Sequence, residues 1–323
     1  MMKKRFYFAA LAAMALASCA ESNADLMVAD EMVELQVSVP GMETKVSGNP
    51  QNEDKVYDLQ VFVFDKQTGI LEAYGHGSTP TLKITCVPGS KEVVALVNAP
   101  SLADIASLSE LQGKKSALED NLSGGLVMSG QVTRQLTPSD NALTVNVSRL
   151  AAKITLLNVK NQMSLEVNRD KEFIVKAVYL INAVGDRAYL SSSTPAVWYN
   201  KMKYEDGSPE FLYDAPQSTI AVGQTYSTQH HFYCYPNLTI ADANEGEWSA
   251  RKTRLVVEAT LGGETCYYPV TMTDLAHNTA YTVALTVTRP GSSSPDIPIT
   301  TNEGTFSVNV KDWTDGSDYN ETI

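Results

Sequence analysis

Leu16-Ala17-Ser18-Cys19 is the segment with the most specific chemistry in this chain of 323 residues. Small residues leading to a cysteine form the bacterial lipobox, in which the cysteine sulfur is acylated and its amine becomes the new N-terminus. The residues before it agree. Lys3, Lys4 and Arg5 precede an apolar run from Phe6 to Ala17, a basic start and a core too short to span a bilayer, which is the pattern of a secretory signal. Residues 1–18 are therefore expected to be removed, with Cys19 as the lipid attachment point. Export places the remainder in an oxidising compartment, where disulfides persist. Cys234 and Cys266 lie on strands expected to be neighbours, so they are candidates to pair; the alternative is two buried thiols, with Cys86 as a third.

The other chemistry-bearing residues form no catalytic pattern. There is no Gly-x-Ser-x-Gly elbow, His-Glu-x-x-His helix, phosphate loop or dinucleotide fingerprint. His230 and His231 are adjacent, and adjacent residues on a strand face opposite ways, so they are poorly placed to share a metal. Carboxylates are abundant, but no two are singled out for glycoside hydrolysis. Acids outnumber bases 37 to 25, a formal charge of −12, which argues against nucleic acid and against charge-driven docking on anionic lipid. The expectation is a protein that is not an enzyme and that needs no cofactor or metal. Trp198 and Tyr199, in an irregular segment, could stack on sugar rings or pack between domains. The sequons at Asn121, Asn146, Asn237 and Asn320 carry little meaning in a bacterial lipoprotein.

The elements that would position these residues are nearly all strands. Val33, Leu35, Val37 and Val39 alternate with Glu34, Gln36 and Ser38, the mark of a half-buried strand, closed by Pro40-Gly41. Met42 to Lys55 reads as a long exposed loop containing Lys45. Strands are expected over 56–64, 71–74, 82–87, 92–97, 126–130, 131–136, 142–147, 149–159, 173–181 and 188–190. Further strands follow over 226–235, 255–261, 265–272, 281–287 and 306–310, with Gly262-Gly263 as a hairpin turn. The one helical region is 101–122, where Leu102, Ile105, Leu108 and Leu111 share a face and Ser101 could cap. Many short strands divided by turns imply an all-β chain of two β-sandwich domains, with one short helical segment in the first. The expected organisation is a signal at 1–18, a tether and first strand at 19–45, an N-terminal domain at 46–148 and a C-terminal domain at 149–323.

Taken in order, several segments resemble the fimbrillins, the type V pilins of Bacteroidales. They are the lipobox at Cys19, the strands Val56–Asp65 and Val93–Asn98, and the entry Arg149-Leu150-Ala151-Ala152-Lys153-Ile154. The C-terminal third adds Phe232-Tyr233-Cys234-Tyr235, Tyr267-Tyr268-Pro269-Val270, Asn278 to Tyr281, Thr286 to Pro298 and Val308-Asn309-Val310-Lys311-Asp312-Trp313. The resemblance implies two transthyretin-like sandwiches carried to the outer membrane as a lipoprotein. It further implies an Arg- or Lys-specific protease that removes the lipidated end with the first strand, here Val33, Leu35, Val37 and Val39. A strand from a related pilin subunit would then fill the vacated groove, producing a surface fimbria that supports adhesion. The base available to that protease is Lys45, before Val46, where many members of the family have arginine. Phe306, Val308, Val310 and Trp313 are the candidate donor strand, although the first three could instead close the subunit's own second domain. The competing reading is a surface-anchored glycan-binding lipoprotein.

Overall fold

The alternating side chains of residues 33–39 form a strand whose odd positions are buried and whose even positions face outward, as the pattern predicts. The computed structural model describes residues 32–40, 53–122, 125–242, 246–299, 304–312 and 318–321. The first half contains β1 (Val33–Ser38), β2 (Leu59–Asp65), β3 (Leu71–Gly77), β4 (Thr81–Cys86) and β5 (Gly89–Val97). After these come α1 (Leu108–Gly113), β6 (Lys115–Ala117), β7 (Met128–Leu136), β8 (Ala142–Thr144) and β9 (Ser148–Arg149). A three-stranded sheet, β4-β1-β8, faces a five-stranded sheet, β3-β2-β5-β7-β9, across one apolar cluster.

Strand β2 is apolar on both faces because both are covered. Leu59, Val61 and Val63 meet the β1 side, while Phe62 and Phe64 join a second cluster that extends into the other half of the chain. Between them Gln60 is fully buried, and its amide is occupied on both sides. Nε2 donates to the carbonyls of Ala99 and Pro100, each at 3.0 Å, and Oε1 accepts from the Leu102 N–H at 2.9 Å. A buried amide is tolerable only when satisfied in this way, and the bonds fix the course of residues 99–102.

Three expectations change here. The helix is shorter than the apolar spacing suggested, starting from Ser107 rather than Ser101. The backbone of Leu108 donates to Gly69 and that of Leu71 donates to the carbonyl of Ala106, so tertiary partners take groups that an earlier helix turn would need. Ser107 accepts from the Glu110 N–H, and Glu110 reaches back to the Ala106 N–H, giving the helix its start. The two strands expected over 126–136 are one, β7, running through Gly130. A Cβ at that glycine would lie 2.0 Å from the Asn146 carbonyl oxygen, so the residue permits close approach rather than a turn. The loop expected to be exposed through Lys55 is buried at Glu53.

The second half contains β10 (Ala152–Asn161), a one-turn helix α2 (Glu166–Arg169) outside the single helical region expected, β11 (Phe173–Ile181), β12 (Ala183–Val184) and β13 (Asp186–Ala188). Then come β14 (Trp198–Tyr199), β15 (Tyr213–Asp214), β16 (Ser218–Thr219), β17 (Thr225–Tyr226), β18 (His230–Cys234), β19 (Arg254–Leu261) and β20 (Glu264–Thr271). The series ends with β21 (Thr279–Val287), β22 (Gly304–Asp312) and β23 (Asp318–Glu321). One sheet has the order β17-β10-β21-β22-β23, with β18 also on β10; the other has β15-β11-β19-β20, with β16 also on β11. Gly262 and Gly263 both have positive φ, +60° and +88°, and close the tight β19–β20 hairpin foreseen from the sequence. The fold is thus all-β, built of facing sheets.

The chain changes sheets within three residues. Arg149 in β9 still pairs with Met128 of the N-terminal sheet, and Ala152 begins β10 of the C-terminal one. β6 also pairs with β13 across the halves, and the described residues pack as one compact unit. In the second half, Arg251 is fully buried against Asp296 at 2.6 Å, and the same carboxylate accepts from Asn182 Nδ2 at 3.1 Å. This ties the 289–299 loop down beside β19. Asp296→Ala should therefore lower unfolding stability by about 3–5 kcal/mol in urea denaturation, because Arg251 would stay buried without its counter-charge.

Candidate functional site

Strand β1 is the centre of its sheet, not its edge. It runs antiparallel to β4, from Val33 opposite Cys86 to Ser38 opposite Thr81, and parallel to β8, from Gln36 opposite Ala142 to Ser38 opposite Thr144. The pairing continues past both ends of the parallel ladder. Gln36 N–H donates to Asn141 O at 3.0 Å, Val145 N–H to Ser38 O at 2.9 Å and Val39 N–H to Pro80 O at 2.9 Å. Val33, Leu35, Val37 and Val39 are at most 3% exposed, among Leu59, Val61, Val93, Ala95 and Met128. At about 1.5–3 kcal/mol for each buried aliphatic side chain, this strand contributes on the order of 6–12 kcal/mol of gross burial. Taking it away would open a slot with an unpaired strand on either side and an apolar floor.

The chain is held firmly again at Glu53. Its carboxylate meets Lys153 Nζ at 2.8 Å and accepts a hydrogen bond from the Tyr233 hydroxyl, and its carbonyl accepts from Arg149 Nε at 3.1 Å. All four residues are buried or largely so, and Lys153 and Arg149 stand on β10 and β9 at the change of sheet. Burial pushes the Arg149 guanidinium below its ordinary range while the Glu53 charge pulls it back. Burial and the Glu53 charge both push the Tyr233 hydroxyl up, keeping it a neutral donor. The segment between β1 and Glu53 is thus bounded by a paired strand on one side and a buried ionic anchor on the other. Sequence reasoning missed Glu53. Its one visible trace is a pair of bases, Arg149 and Lys153, flanking an otherwise apolar strand entry.

The other residues singled out from the sequence fall as follows. Cys19, Lys45, Val46 and Trp313 lie outside the described residues. Phe306, Val308 and Val310 are in β22, which pairs with β21 along its whole length, Gly304 with Val287 through Asp312 with Thr279. They are paired within the subunit's own second sheet, the alternative foreseen for them. Cys234 and Cys266, the candidates to pair, are not bonded here; both are buried thiols, the alternative reading. Cys234 is on β18, whose partner is β10, and Cys266 is on β20, whose partner is β19, so the two strands belong to different sheets. Full burial pushes the Cys234 thiol up to about 12. Cys86 is a third buried thiol, on β4 opposite Val33.

Trp198 and Tyr199 are half-buried rather than open platforms. The Trp198 ring meets Trp248 edge-on at 5.6 Å, and Tyr199 donates to Glu119 from the first half of the chain. The two histidines diverge. His230 bonds through Nε2 to the Tyr226 hydroxyl at 2.7 Å and through Nδ1 to Asp214 at 2.5 Å, while His231 Nδ1 meets the Thr155 hydroxyl at 3.0 Å. Asn121 and Asn237 use their side chains in internal hydrogen bonds.

Residues 34–170 match the model of the family described as Major fimbrial subunit protein (FimA). Among solved structures, a candidate cell-adhesion protein from Bacteroides eggerthii superposes with a TM-score of 0.66 at 22% identity, over 88% of this chain and 97% of that one. A fimbrilin from Porphyromonas gingivalis gives 0.64 at 16% identity, over 87% and 98%. The tip fimbrial protein of the same organism, with a C-terminal truncation, gives 0.56 at 14%, over 87% and 99%. The resemblance to the fimbrillins seen in the sequence therefore holds, through the family model over residues 34–170 and through the fold over most of the chain.

Two expected outcomes follow from the geometry. Leu35→Ala should cost about 2–5 kcal/mol in chemical denaturation, as for other fully buried leucines in tight cores. The second concerns pH. Burial, then the charges of Lys153 and His230, keep the His231 ring neutral down to about 4, whereas in the unfolded chain it takes up a proton near pH 6.5. The unfolded state binds more protons in that interval, so stability should fall as pH drops from about 6.5 to about 4. Burial shifts His277 in the same direction. In thermal melts across this range, His231→Gln should flatten the slope.

Proposed function

We propose that this chain is a subunit of a cell-surface fimbria that polymerises when β1 is replaced by a strand from another copy or from a related subunit. The observation that carries the reading is the placement of β1. It is the central strand of a three-stranded sheet, with four buried aliphatic side chains. Its loss would orphan two strands at once, and β-augmentation by a new strand would restore both the hydrogen bonds and the burial. An edge strand would leave only one gap.

The proposed route begins with export under the signal at 1–18 and lipid attachment at Cys19, which holds the precursor at the outer membrane. An Arg- or Lys-specific protease then cuts after Lys45, releasing residues 19–45 with β1 and leaving Val46 as the new N-terminus. Glu53 would secure that end, only seven residues on, through Lys153, Tyr233 and Arg149. The polymerising unit is an N-terminal domain, 46–148, and a C-terminal domain, 149–323. The donor is the C-terminal segment. The β22–β23 pair ends the sheet and, among the described residues, is hydrogen-bonded to it through β21, so its release would leave the order β17-β10-β21 intact while uncovering the core side chains that Phe306, Val308 and Val310 now meet. Phe306, Val308 and Val310 supply the alternating apolar side chains that β1 presents in the resting subunit, and Trp313 follows them.

The test is to treat the exported precursor with a trypsin-like protease, alongside a Lys45→Ala variant. The expected result is Val46 as the N-terminal residue and a concentration-dependent ladder of oligomers, both absent from the variant. A protein that starts at Val46 and yet elutes as a monomer at high concentration would overturn the proposal.

A further inference from the structure

A cleft of about 700 Å³ opens beside β13, away from the β1 slot. One wall is the hydroxyl-rich turn that follows β13, from Ser191 to Thr194. The segment after β18 contributes Leu238 and Thr239 to the lining, and His277 and Arg187 line the cleft as well. The charges inside are unbalanced. Asp186 is fully committed elsewhere, to Lys115 at 2.7 Å and to the N–H groups of Ala196 and Val197 at 2.7 and 3.0 Å. Arg187 has no such partner. Its Nη1 donates to the Leu150 carbonyl at 3.2 Å, its Nε is buried without a hydrogen bond, and no carboxylate among the described residues forms an ion pair with it.

A largely buried guanidinium without an anion is costly to keep, and in a chain with a formal charge of −12 it is conspicuous. It marks the cleft as a local positive site that a carboxylate could enter. His277 adds a polar edge. Burial and the nearby Arg187 charge favour its neutral form, and a neutral imidazole offers a donor on one nitrogen and an acceptor on the other. The remaining lining suits a polyol. Ser191 and Ser192 are exposed hydroxyls, and Leu238, 69% exposed, offers an apolar surface at the rim.

We propose that this cleft binds an acidic sugar, with its carboxylate on Arg187, its ring hydroxyls against Ser191 and Ser192, and its C–H face on Leu238. The site is complete in one subunit, so it does not depend on the assembly proposed above.

The test is a calorimetric titration of the monomeric chain with glucuronate, galacturonate and N-acetylneuraminate, using glucose and acetate as controls. At least one acidic sugar should bind about tenfold more tightly than both controls, and the binding should weaken with added salt. Arg187→Gln should abolish that preference. Leu238→Asp, a rim substitution that leaves Arg187 in place but removes the apolar contact and sets a second carboxylate beside the ligand's, should reduce binding by a similar factor with the melting temperature unchanged. Equal binding of glucose would show that the charge is not recognised, and equal binding of acetate would show that the hydroxyl wall adds nothing. Either result overturns the proposal, as does the absence of binding by all three acidic sugars.

Discussion

The N-terminal sandwich is complete only while a strand occupies the place between β4 and β8. That condition governs the rest of the half-molecule. With β1 in place, the five-stranded sheet has an apolar lid and the three-stranded sheet is continuous. Without it, the inner face of β2 and β5 meets water, and β4 and β8 are separated by the width of one strand. Few single elements in a sandwich have this standing, because most are edges or are covered on a second face. β2 shows the contrast. It is buried on both sides by two different clusters and cannot leave without dismantling both halves.

Around this central strand the chain is fixed by charges placed out of water. Glu53 with Lys153 of β10, and Asp296 with Arg251 just before β19, each fix a residue outside the strands against the core. Buried pairs of this kind add little net stability compared with a packed apolar alternative, but breaking one is expensive, so they specify where a loop must lie. The Glu53 anchor lies just beyond the segment that leads out of β1.

What the sequence disclosed follows from which forces are local. β1 was legible because one buried face imposes a period of two, and β11 because a long β-branched and apolar run has no other use. The region at 101–113 was misjudged because Leu102 and Ile105 have helical spacing, while the backbone of Ala106 and Leu108 is claimed by Gly69 and Leu71. Glu53 looked like part of a solvated loop because its partners are 96 to 180 residues away. Cys234 and Cys266 seemed to be neighbours because strands close in sequence often pair, but β18 and β20 are dealt to different sheets. The β1 slot was thus visible from its occupant, whereas the cleft at Arg187 was not, since it exists only where three separate segments meet.

The mixed pairing of β1 also sets a direction. One neighbour runs against it and the other runs with it, so a substitute inserted backwards would reverse both relations and meet each ladder with the wrong hydrogen-bond spacing. Under the exchange proposed above, contacts made through such a slot would join unlike surfaces, a strand on one molecule and a cleft between strands on the next. Heterologous joints of this type have no two-fold axis. Unless the rotation between neighbours closed a ring, the proposed exchange would generate a polar filament whose two ends differ, one offering an empty slot and the other an unspent strand.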